Sequence, residues 1–587
     1  MTAPAASTPV EPAKDPGADG SRTGAQIICE ALVREGVEIM FGIPGGAIMP
    51  FYHAMWEYRA QLRHVLCRHE QGAGHAAEGY ARTTGRVGVC IATSGPGATN
   101  LVTPIADAWM DSTPMVAITG QVSSLALGTD AFQETDITGI TVPITKHNYL
   151  VQRAEEIPYV VKEAFYLARS GRPGPVLIDV TKDAQQARTV PRWDRPLRLP
   201  RHKGTGVLDR GAVERATALL AGAARPLIMA GNGVIQSGAA AELRVLAERM
   251  GIPVITTLHG KGAFPESHEL SLGMSGMHGW VHVNRAIQEC DVLFNIGGRF
   301  DDRVTGKVST FAPRAQIIHV DIDASEIGKV VPTSIGICGD ARATLACMLE
   351  LAPAGNRAAW LERIRAIQLE HQPHQAYRRR PDTPTLMPHD VFASLDRAFR
   401  KRTGYRVITD VGQHQMWAAQ LIEWGRPRSH ITSGGAGTMG FSIPAALGAA
   451  LAHPNETIWV IVGDGGFQMT NQEIATMVQE NVRNVKIAVI NNGYLGMVRQ
   501  WQELFEGARY SETKLSGPDI TMLAEAYGVH GVKVERPEDA DAAIENAWAR
   551  DGLVVIDFRV EREANVFPIV PAGKSIGDMM VSATANA

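Results

Sequence analysis

The sequence is short of the features that mark several large classes of protein. Its 587 residues include only 6 cysteines, none in a CxxC pair, and scattered cysteines of this kind are typical of buried, reduced thiols in a cytosolic protein. No apolar run approaches the length that spans a membrane. The formal net charge of −4 gives no electrostatic case for nucleic acid or an anionic membrane. These absences argue against a disulfide scaffold, an integral membrane protein and a polyanion-binding protein.

What the sequence does contain indicates a soluble globular protein of three to four domains. Hydrophobic residues make up 45% of the chain and charged residues 20%, and a chain of this length exceeds one ordinary domain. Residues 1–23 are rich in Ala, Pro, Gly and Ser with three acidic residues, which fits neither a secretory signal nor an organelle transit peptide. We therefore expect a disordered N-terminal extension and a cytoplasmic location.

A turn late in the chain carries the most specific signal. Apolar runs that predict strands precede Gly463-Asp464-Gly465-Gly466 and Asn491-Asn492-Gly493-Tyr494, with a helical pattern between them. Tips of parallel strands are where phosphates and metals are held. One carboxylate, one amide oxygen and one backbone carbonyl would suit a magnesium-bound diphosphate, and the paired glycines would let backbone N–H groups approach it. The predicted metal ligands are Asp464, Asn492 and Tyr494, with Gly465 and Gly466 beside the phosphates.

Gly-Asp-Gly alone is usually an ordinary turn. Together with Asn-Asn at this spacing and a strand before each half, it resembles the thiamin diphosphate (ThDP) binding motif of the pyruvate decarboxylase-like enzymes. The resemblance implies ThDP and Mg²⁺ as cofactors. It also implies cofactor contacts from two neighbouring loops and a later helix, with one methionine, Met439, propping the cofactor into a bent shape. These contacts are Gly412, Gln413, Gly437, Met439 and Met497.

Glu70 stands at a predicted strand-to-helix junction in a segment rich in small residues. Taken alone, it is best interpreted as a carboxylate that interacts with the positive end of a helix dipole. The surrounding string resembles the segment that carries the activating glutamate of ThDP enzymes. In that family the glutamate hydrogen-bonds the cofactor's pyrimidine ring and favours the tautomer that deprotonates the thiazolium carbon. The resemblance thus assigns Glu70 both cofactor binding and catalysis.

The middle of the chain shows a second αβ pattern with acids at strand tips but no GxGxxG fingerprint. From the residues alone, a dinucleotide site and plain surface turns are equally good interpretations. The string from Gly298 to Gly306 is similar to the FAD-binding segment of the acetohydroxyacid synthases, which implies FAD as a second cofactor without net redox chemistry. The predicted FAD contacts are Arg172, Gly231, Gly233, Gly276, Met277, His278, Gly298, Arg299, Asp301, Arg303, Asp321 and Asp340.

Four further side chains have a plain interpretation and a family one. Phe132 and Gln133 lie in a polar loop typical of a solvated connection, Lys261 on a glycine turn would commonly be solvated, and Trp501 could be a half-buried aromatic. The resemblance to acetohydroxyacid synthases implies that the first three lie near the substrate. It also implies that Trp501 favours the larger second substrate.

The sequence therefore predicts an α/β protein of three doubly wound parallel-sheet domains. We expect a pyrimidine-binding domain at 24–190, a Rossmann-like FAD domain at 207–353, a diphosphate-binding domain at 388–560 and a tail or lid at 561–587. The resemblance to acetohydroxyacid synthases covers about residues 24–577. It implies decarboxylation of pyruvate and condensation of the resulting enamine with pyruvate or 2-oxobutyrate, in valine, leucine and isoleucine synthesis.

The resemblance further implies partners. In that family the active site lies between two chains, so a homodimer or homotetramer is expected, with a separate small regulatory subunit and no nucleic acid or membrane partner. Glyoxylate carboligase is disfavoured by Glu70, and the catabolic acetolactate synthases by the segment 299–303 and Trp501. Pyruvate oxidase and a non-catalytic paralogue remain alternatives. Ser123 departs from a proline common in the family, which puts inhibitor sensitivity in doubt.

Overall fold

The computed structural model describes residues 20–199, 208–371 and 385–583, with the backbone of 585–586. These residues fall into two compact units: 20–81, 86–169 and 173–199 form the first, and the others the second. The predicted N-terminal extension lies outside the described residues as far as residue 19, and Arg22–Thr23 form a short strand. No helix in the described ranges is long and apolar enough to cross a membrane.

The first unit is built on one six-stranded parallel sheet. Its strands, including two in a small antiparallel pair, are β1 (Arg22–Thr23), β2 (Ile39–Gly42), β3 (Arg63–Leu66), β4 (Gly88–Ala92), β5 (Met115–Gln121), β6 (His147–Val151), β7 (Pro175–Thr181) and β8 (Arg188–Thr189). Its helices are α1 (Gly24–Arg34), α2 (Met49–Tyr58), α3 (Glu70–Thr84), α4 (Pro96–Thr99), α5 (Val102–Met110), α6 (Ile137–Thr141), α7 (Ile157–Arg169) and α8 (Lys182–Gln186). The sheet order is β3-β2-β4-β5-β7-β6, and β1 pairs with β8.

Local sequence explains why these elements form. Strands β4, β5 and β7 are buried along their whole length, as expected for a parallel sheet covered by helices on both faces. Helix α1 starts with a reciprocal capping box, in which Thr23 accepts from the Gln26 N–H and the Gln26 side chain accepts from the Thr23 N–H. The buried faces of α1 and α7 complete one core beneath the sheet.

The second unit contains two six-stranded parallel sheets. The strands of the middle sheet are β9 (Pro226–Ala230), β10 (Val254–Thr256), β11 (Ser271–Met274), β12 (Val292–Ile296), β13 (Gln316–Asp321) and β14 (Ile335–Cys338). The accompanying helices are α9 (Arg210–Gly222), α10 (Asn232–Gln236), α11 (Ala240–Met250), α12 (Val281–Glu289), α13 (Asp302–Thr305), α14 (Ala341–Leu351) and α15 (Ala358–Glu370). The order β11-β10-β9-β12-β13-β14 is the 3-2-1-4-5-6 order of dinucleotide-binding folds.

The third sheet lies in the C-terminal part of this unit. Its strands, followed by a small C-terminal pair, are β15 (Tyr405–Thr409), β16 (His430–Thr432), β17 (Thr457–Gly463), β18 (Val485–Asn491), β19 (His530–Val534), β20 (Val554–Arg559), β21 (Met580–Ser582) and β22 (Ala585–Asn586). The helices are α16 (Pro388–Arg400), α17 (Gln413–Leu421), α18 (Ser442–Ala452), α19 (Asp464–Thr470), α20 (Glu473–Gln479), α21 (Gly496–Phe505), α22 (Ile520–Ala526) and α23 (Pro537–Ala549). The sheet order is β16-β15-β17-β18-β20-β19.

The three parallel sheets confirm the predicted fold class. Numbered within each domain, the first and third sheets share the order 2-1-3-4-6-5, whereas the middle sheet has the Rossmann order. Each sheet has a pair of adjacent strands whose connections leave in opposite directions: β2 and β4, β9 and β12, and β15 and β17. Ligands of open α/β sheets bind outside the carboxyl ends of strands at such switch points.

Candidate active site

A cleft lies at the switch point of the third sheet, where β15 and β17 end. Asp464 begins α19 directly after β17, and Asn492 follows the neighbouring β18. Both line the cleft with Tyr494, Gly465 and Gly466. The structure thus brings together the three predicted metal ligands and the two predicted phosphate-binding glycines.

The carboxyl group of Asp464 is buried, with 5% of the residue exposed. Burial raises its pKa from 3.8 to about 6, and the nearby Asp557 adds to the rise, while backbone N–H groups of Asp464 and Asn492 and the charge of Arg559 oppose it. A carboxylate held in this way is costly to ionise without a cation beside it. The site therefore has the electrostatic character that a divalent cation would satisfy.

Asn492 is also buried, and its side-chain amide is held at both ends. Its Nδ2 donates to Oε1 of Gln413 over 3.2 Å, and its Oδ1 accepts from the backbone N–H of Tyr494 over 3.1 Å. Because a carbonyl oxygen has two lone pairs, Oδ1 can accept this bond and still ligate a cation. Asn492, Asp464 and a backbone carbonyl form the oxygen donor set that Mg²⁺ prefers.

Asp410, which follows β15, organises the loop that carries Met439. One carboxyl oxygen accepts from the N–H groups of Val411 (3.0 Å) and Gly440 (2.9 Å), and the other from the N–H and hydroxyl of Ser442 (2.9 and 2.8 Å). Burial raises the pKa of Asp410. The sequence analysis did not select this residue, although an acid at a strand tip is the same signal that identified Asp464.

His414 is a second residue that the sequence analysis did not select. Its ring is buried against Gly412 and Gly463, where added Cβ atoms would lie 2.9 and 3.0 Å from its Cε1. Burial lowers its pKa to about 3, against a backbone hydrogen bond with Asp410. His414 lines the cleft, and its buried Nε2 has no hydrogen-bond partner among the described residues. A phosphate oxygen would supply that partner and favour the protonated ring, so the residues present fit a diphosphate.

The other predicted cofactor contacts of this sheet lie at the same cleft or beside it. Met439 and Met497 line it, and the Met439 methyl group lies 3.3 Å from the position of a Cβ on Gly465. Gly437 has φ +68°, a conformation that favours glycine. Trp501 lies half-buried on α21, edge-on to Phe505 with ring centroids 5.2 Å apart.

In the first unit, Glu70 opens α3 after β3 and is half-buried. Its Oε2 accepts from Nδ2 of Asn100 over 2.9 Å, and a Cβ on Gly97 would lie 3.4 Å from its Oε1 and 2.8 Å from a Thr93 methyl group. Gly45 packs on Thr93 just as closely. Because these two glycines lack side chains, the backbone can pack closely on Thr93 and beside the Glu70 carboxylate, at the switch point between β2 and β4.

The predicted substrate loop is held in an unusual backbone conformation. Gln133 has φ +61°, which is uncommon outside glycine, and a Cβ on Gly95 would lie 2.9 Å from the Gln133 Cβ. Phe132 next to it is 88% exposed.

Lys261 is buried, with 2% of the residue exposed, and its Nζ lies 2.6 Å from Oε1 of Glu266. The other oxygen of Glu266 accepts from the Trp424 N–H over 3.0 Å. The ammonium group is therefore held in an ion pair within one loop, and Glu266 connects that loop to the segment around Trp424. The predicted place of Lys261 near the substrate stays a prediction.

The switch point of the middle sheet is formed by glycine-rich turns. A Cβ on Gly231 would lie 2.2 Å from the carbonyl oxygen of Gly297, and one on Gly233 would lie 2.6 Å from its Cα. The next carbonyl, that of Gly298, accepts from Nδ2 of Asn295 (2.6 Å) and contacts Nε2 of His319 (3.0 Å). The sequence analysis missed these two buried side chains, although single polar residues inside apolar strands are a usable signal.

A second group of predicted FAD contacts lies around residues 276–278. The Met277 N–H donates to the carbonyl oxygen of Arg303 over 2.7 Å. A Cβ on Gly276 would lie 2.3 Å from that oxygen. Nδ1 of His278 lies 3.1 Å from the Pro568 carbonyl oxygen, and burial lowers the pKa of His278 to about 4. Arg299 is half-buried and lies three residues after the end of β12.

Three predicted acids of the middle sheet have local structural partners. Asp301 caps α13 by accepting from the N–H groups at 303 and 304, and Asp340 caps α14 by accepting from the N–H at 343 over 3.0 Å. Asp321 ends β13, and burial raises its pKa to about 6. Arg172 pairs with Glu326 at 2.9 Å. The Asp321 carboxyl accepts from the Asp323 N–H over 2.9 Å, so all three acids have a local backbone partner.

Comparison with protein families defines the class. Three family models match in order: the N-terminal TPP binding domain of thiamine pyrophosphate enzymes over residues 22–140, their central domain over 213–348 and their C-terminal TPP binding domain over 410–558. Thiamine pyrophosphate is another name for ThDP. The fold, the cleft at the β15–β17 switch point and these matches define a thiamine pyrophosphate enzyme.

Similarity to individual proteins is high over nearly the whole chain. The acetolactate synthase large subunit of Corynebacterium glutamicum is 50% identical over 95% of this chain and 90% of its own length. A probable acetolactate synthase large subunit of Methanocaldococcus jannaschii is 46% identical over 94% of each chain. The isozyme 2 large subunit of Escherichia coli K12 is 45% identical over 95% of this chain and 99% of its own length. The chain belongs to the acetolactate synthase large-subunit family.

Proposed function

We propose that this protein is a catalytic subunit that converts pyruvate to 2-acetolactate and, with 2-oxobutyrate as acceptor, forms 2-aceto-2-hydroxybutyrate. The observation that carries the proposal is the cleft at the β15–β17 switch point, where Asp464 and Asn492 present oxygen donors beside Gly465 and Gly466. Near-full-length similarity to acetolactate synthases supports the substrate class. The products would feed branched-chain amino acid synthesis.

The residues of the cleft suit ThDP held through Mg²⁺. When bound, ThDP supplies the nucleophilic carbon and the electron sink for decarboxylation. Asp464, Asn492 and the Tyr494 carbonyl would hold the metal, and His414 would contact the diphosphate. Met439, fixed by the loop that Asp410 anchors, would support the cofactor's conformation. In this arrangement the chain would bind and orient the cofactor, and its dipoles and charges would stabilise the charge that develops during the reaction.

Glu70 is the residue that we assign to proton transfer. Its Oε2 is already held by Asn100, so the carboxylate is fixed in orientation before any ligand arrives. A carboxylate that hydrogen-bonds a ring nitrogen favours the protonated form of that nitrogen, which makes a conjugated amino group more acidic and so favours its imino tautomer, whose nitrogen can act as a base. Glu70 would act on the pyrimidine ring in this way.

FAD is the proposed second cofactor. Support comes from the Rossmann strand order of the middle sheet, the closely packed glycine turns at its switch point and the buried Asp321 carboxyl at the tip of β13. The side chains of Asn295 and His319 hold the turn that precedes Arg299. We infer that this turn contacts the flavin cofactor and that FAD has a structural role.

We further infer that the active enzyme is a homodimer or homotetramer and that it acts in the cytoplasm. Glu70 of one chain would meet the Asp464 cleft of another copy. Relatives named large subunits support a separate small subunit as a regulatory partner. The exposed Phe132 side chain would contact either a second copy of the chain or the substrate.

The experiment is to measure acetolactate formed from pyruvate by purified protein with ThDP, Mg²⁺ and FAD, alongside omission of each cofactor. Product that requires all three supports the proposal. Acetaldehyde, or acetyl phosphate with oxygen consumption, would keep the ThDP site and overturn the synthase reaction. No turnover with all cofactors present would favour a non-catalytic paralogue.

A further inference from the structure

Three buried side-chain amides connect the proposed metal site to a segment near the C-terminus. Gln500, Gln413 and Asn492, called here the amide chain, are 0%, 3% and 7% exposed. Gln500 lies on α21, Gln413 begins α17 and Asn492 follows β18. An amide has a donor end and an acceptor end, so each member can occupy its place in two orientations with opposite hydrogen bonding.

Backbone groups fix the orientation at the far end of the amide chain. The Val566 N–H donates to Oε1 of Gln500 over 2.8 Å, and Nε2 of Gln500 donates to the Val566 carbonyl over 2.9 Å. A backbone N–H can only donate and a carbonyl can only accept. If Gln500 were reversed, its NH₂ group would face the Val566 N–H and its oxygen would face the Val566 carbonyl. Both mismatches would be buried, where they are costly.

The orientation passes from Gln500 to Gln413. Nε2 of Gln413 donates both to Oε1 of Gln500 (2.9 Å) and to the Ala564 carbonyl (2.8 Å). Its Oε1 is thereby turned toward Asn492, which must present Nδ2 to it. The Asn492 oxygen then faces the opposite way, toward the Tyr494 N–H and the position proposed for the metal.

The space around this contact is closely fitted. A Cβ on Gly496 would lie 2.2 Å from Oε1 of Gln413 and 2.7 Å from Nδ2 of Asn492. Glycine at the start of α21 therefore leaves room for the Gln413–Asn492 hydrogen bond. The helix that carries Gln500 also carries the residue whose small size permits the next bond of the amide chain.

We propose that Gln500 is a positioning residue, which with the Val566 backbone sets the orientation of Gln413 and Asn492 so that an oxygen, and not an NH₂ group, is presented to Mg²⁺. The inference rests on the proposed function, since it takes Asn492 to be a metal ligand. It also means that the segment 564–566 acts on the metal site without touching the metal. Partners of metal ligands typically affect affinity by about 10- to 100-fold.

The test uses the full-length protein saturated with FAD, stripped of divalent cations and titrated with Mg²⁺ at a fixed excess of ThDP in a calorimeter. Gln500→Met removes the amide at similar length, and we expect Mg²⁺ to bind about tenfold more weakly. The matched control is Gln502→Met on the same helix. Gln502 pairs with the Ser511 N–H and carbonyl at 3.0 Å each, yet contacts neither Gln413 nor Asn492 in these bonds. We expect its effect to stay within about twofold.

Repeating the Gln500→Met measurement in a second variant separates an effect on amide orientation from a general structural effect. Gln413→Met removes the amide that links Gln500 to Asn492, so the orientation of Gln500 can no longer affect Asn492. In that background we expect Gln500→Met to change Mg²⁺ affinity by less than about twofold. An equal tenfold loss in both backgrounds would overturn the proposal and leave Gln500 a structural residue. Wild-type affinity in Gln500→Met would also overturn it.

If Gln500→Met does not fold, Gln500→Glu tests the same step. A buried carboxyl keeps its proton, so its O–H can donate to the Val566 carbonyl while its other oxygen accepts from the Gln413 amide and the Val566 N–H. We therefore expect Mg²⁺ affinity within about threefold of wild type, and a tenfold loss would overturn the inference. Failure of the proposed function would look different, because the wild-type protein itself would then show no Mg²⁺-dependent binding of ThDP.

Discussion

Gly466→Ala should destabilise the C-terminal sheet although the glycine has an ordinary helical backbone. A Cβ at this position would lie 2.4 Å from Oδ1 of Asp410 and 2.9 Å from its Cγ, so the carboxyl group must move by about 1 Å to reach normal contact. It cannot move freely, because Oδ1 accepts from two backbone N–H groups and the other oxygen from two groups of Ser442.

The size of the effect follows from these contacts. Overpacking a buried site costs about 1–3 kcal/mol, and stretching two hydrogen bonds to a buried carboxyl adds about 1.5–3 kcal/mol. Alanine regains about 1 kcal/mol of helix propensity over glycine. We expect a net loss of about 3 kcal/mol, which corresponds to about 6–12 °C in the apparent melting temperature of a domain of this size.

The neighbouring glycine provides a matched control for this prediction. A Cβ on Gly465 would meet only the ends of flexible side chains, the methyl groups of Leu515, Leu495 and Met439 at 3.1–3.3 Å. We expect Gly465→Ala to shift the apparent melting temperature by less than about 3 °C while weakening ThDP binding, since Leu495 and Met439 line the cleft. Both variants are melted without ligand by differential scanning calorimetry. Equal melting temperatures for the two variants would refute the steric argument about Asp410.

Three other substitutions test separate parts of the molecule. Glu70→Gln should lower turnover by about 100-fold or more with ThDP affinity, measured by calorimetry, nearly unchanged; wild-type turnover would remove the proposed proton role. Trp501→Leu should lower the preference for 2-oxobutyrate over pyruvate in a competition assay, and an unchanged product ratio would contradict its assigned role. Burial raises the pKa of Asp179 from 3.8 to about 7, so the folded state holds this proton more tightly than the unfolded state and stability falls as pH rises between those values. The stability advantage of the wild type over Asp179→Asn should therefore shrink by about 2 kcal/mol from pH 5 to pH 7.5, and a constant difference in melting behaviour would argue against the shift.

The sequence was sufficient to predict that Asp464 and Asn492 lie together at the third sheet, because the carboxyl ends of neighbouring parallel strands share one edge. An apolar run followed by Gly463-Asp464 and another followed by Asn491-Asn492 needed only the rule that carboxyl ends of parallel strands share an edge. The sheets themselves followed from the same alternation of strand and helix patterns. These signals are local, and the structure contains their elements at β17 and β18.

The hydrogen-bond partners of the predicted site residues could not be predicted in this way, because a sequence motif does not show which side-chain atoms are already hydrogen-bonded in the fold. The sequence shows Lys261 only as a lysine on a glycine turn, whereas the structure shows that it pairs with Glu266, which in turn accepts from the Trp424 N–H. Asp301 and Asp340 match a cofactor motif by position, yet in the structure their side chains cap the N-termini of helices α13 and α14. A motif identifies a residue type at a place, whereas hydrogen-bond geometry decides which atoms remain available to a ligand.

The choice of an amide at position 492 has a physical reason that also explains the amide chain. Asp464 is buried with a raised pKa, and Asp557 already raises it further, so a second carboxylate beside it would retain protons in competition with a cation. Asparagine would supply an oxygen ligand to the proposed metal without that charge. Its disadvantage is that the wrong end of the amide can face the metal, which a carboxylate avoids. In the arrangement proposed here, the Val566 backbone acts through Gln500 and Gln413 to remove this ambiguity, so the neutral ligand proposed at 492 and the buried glutamines behind it meet one electrostatic requirement.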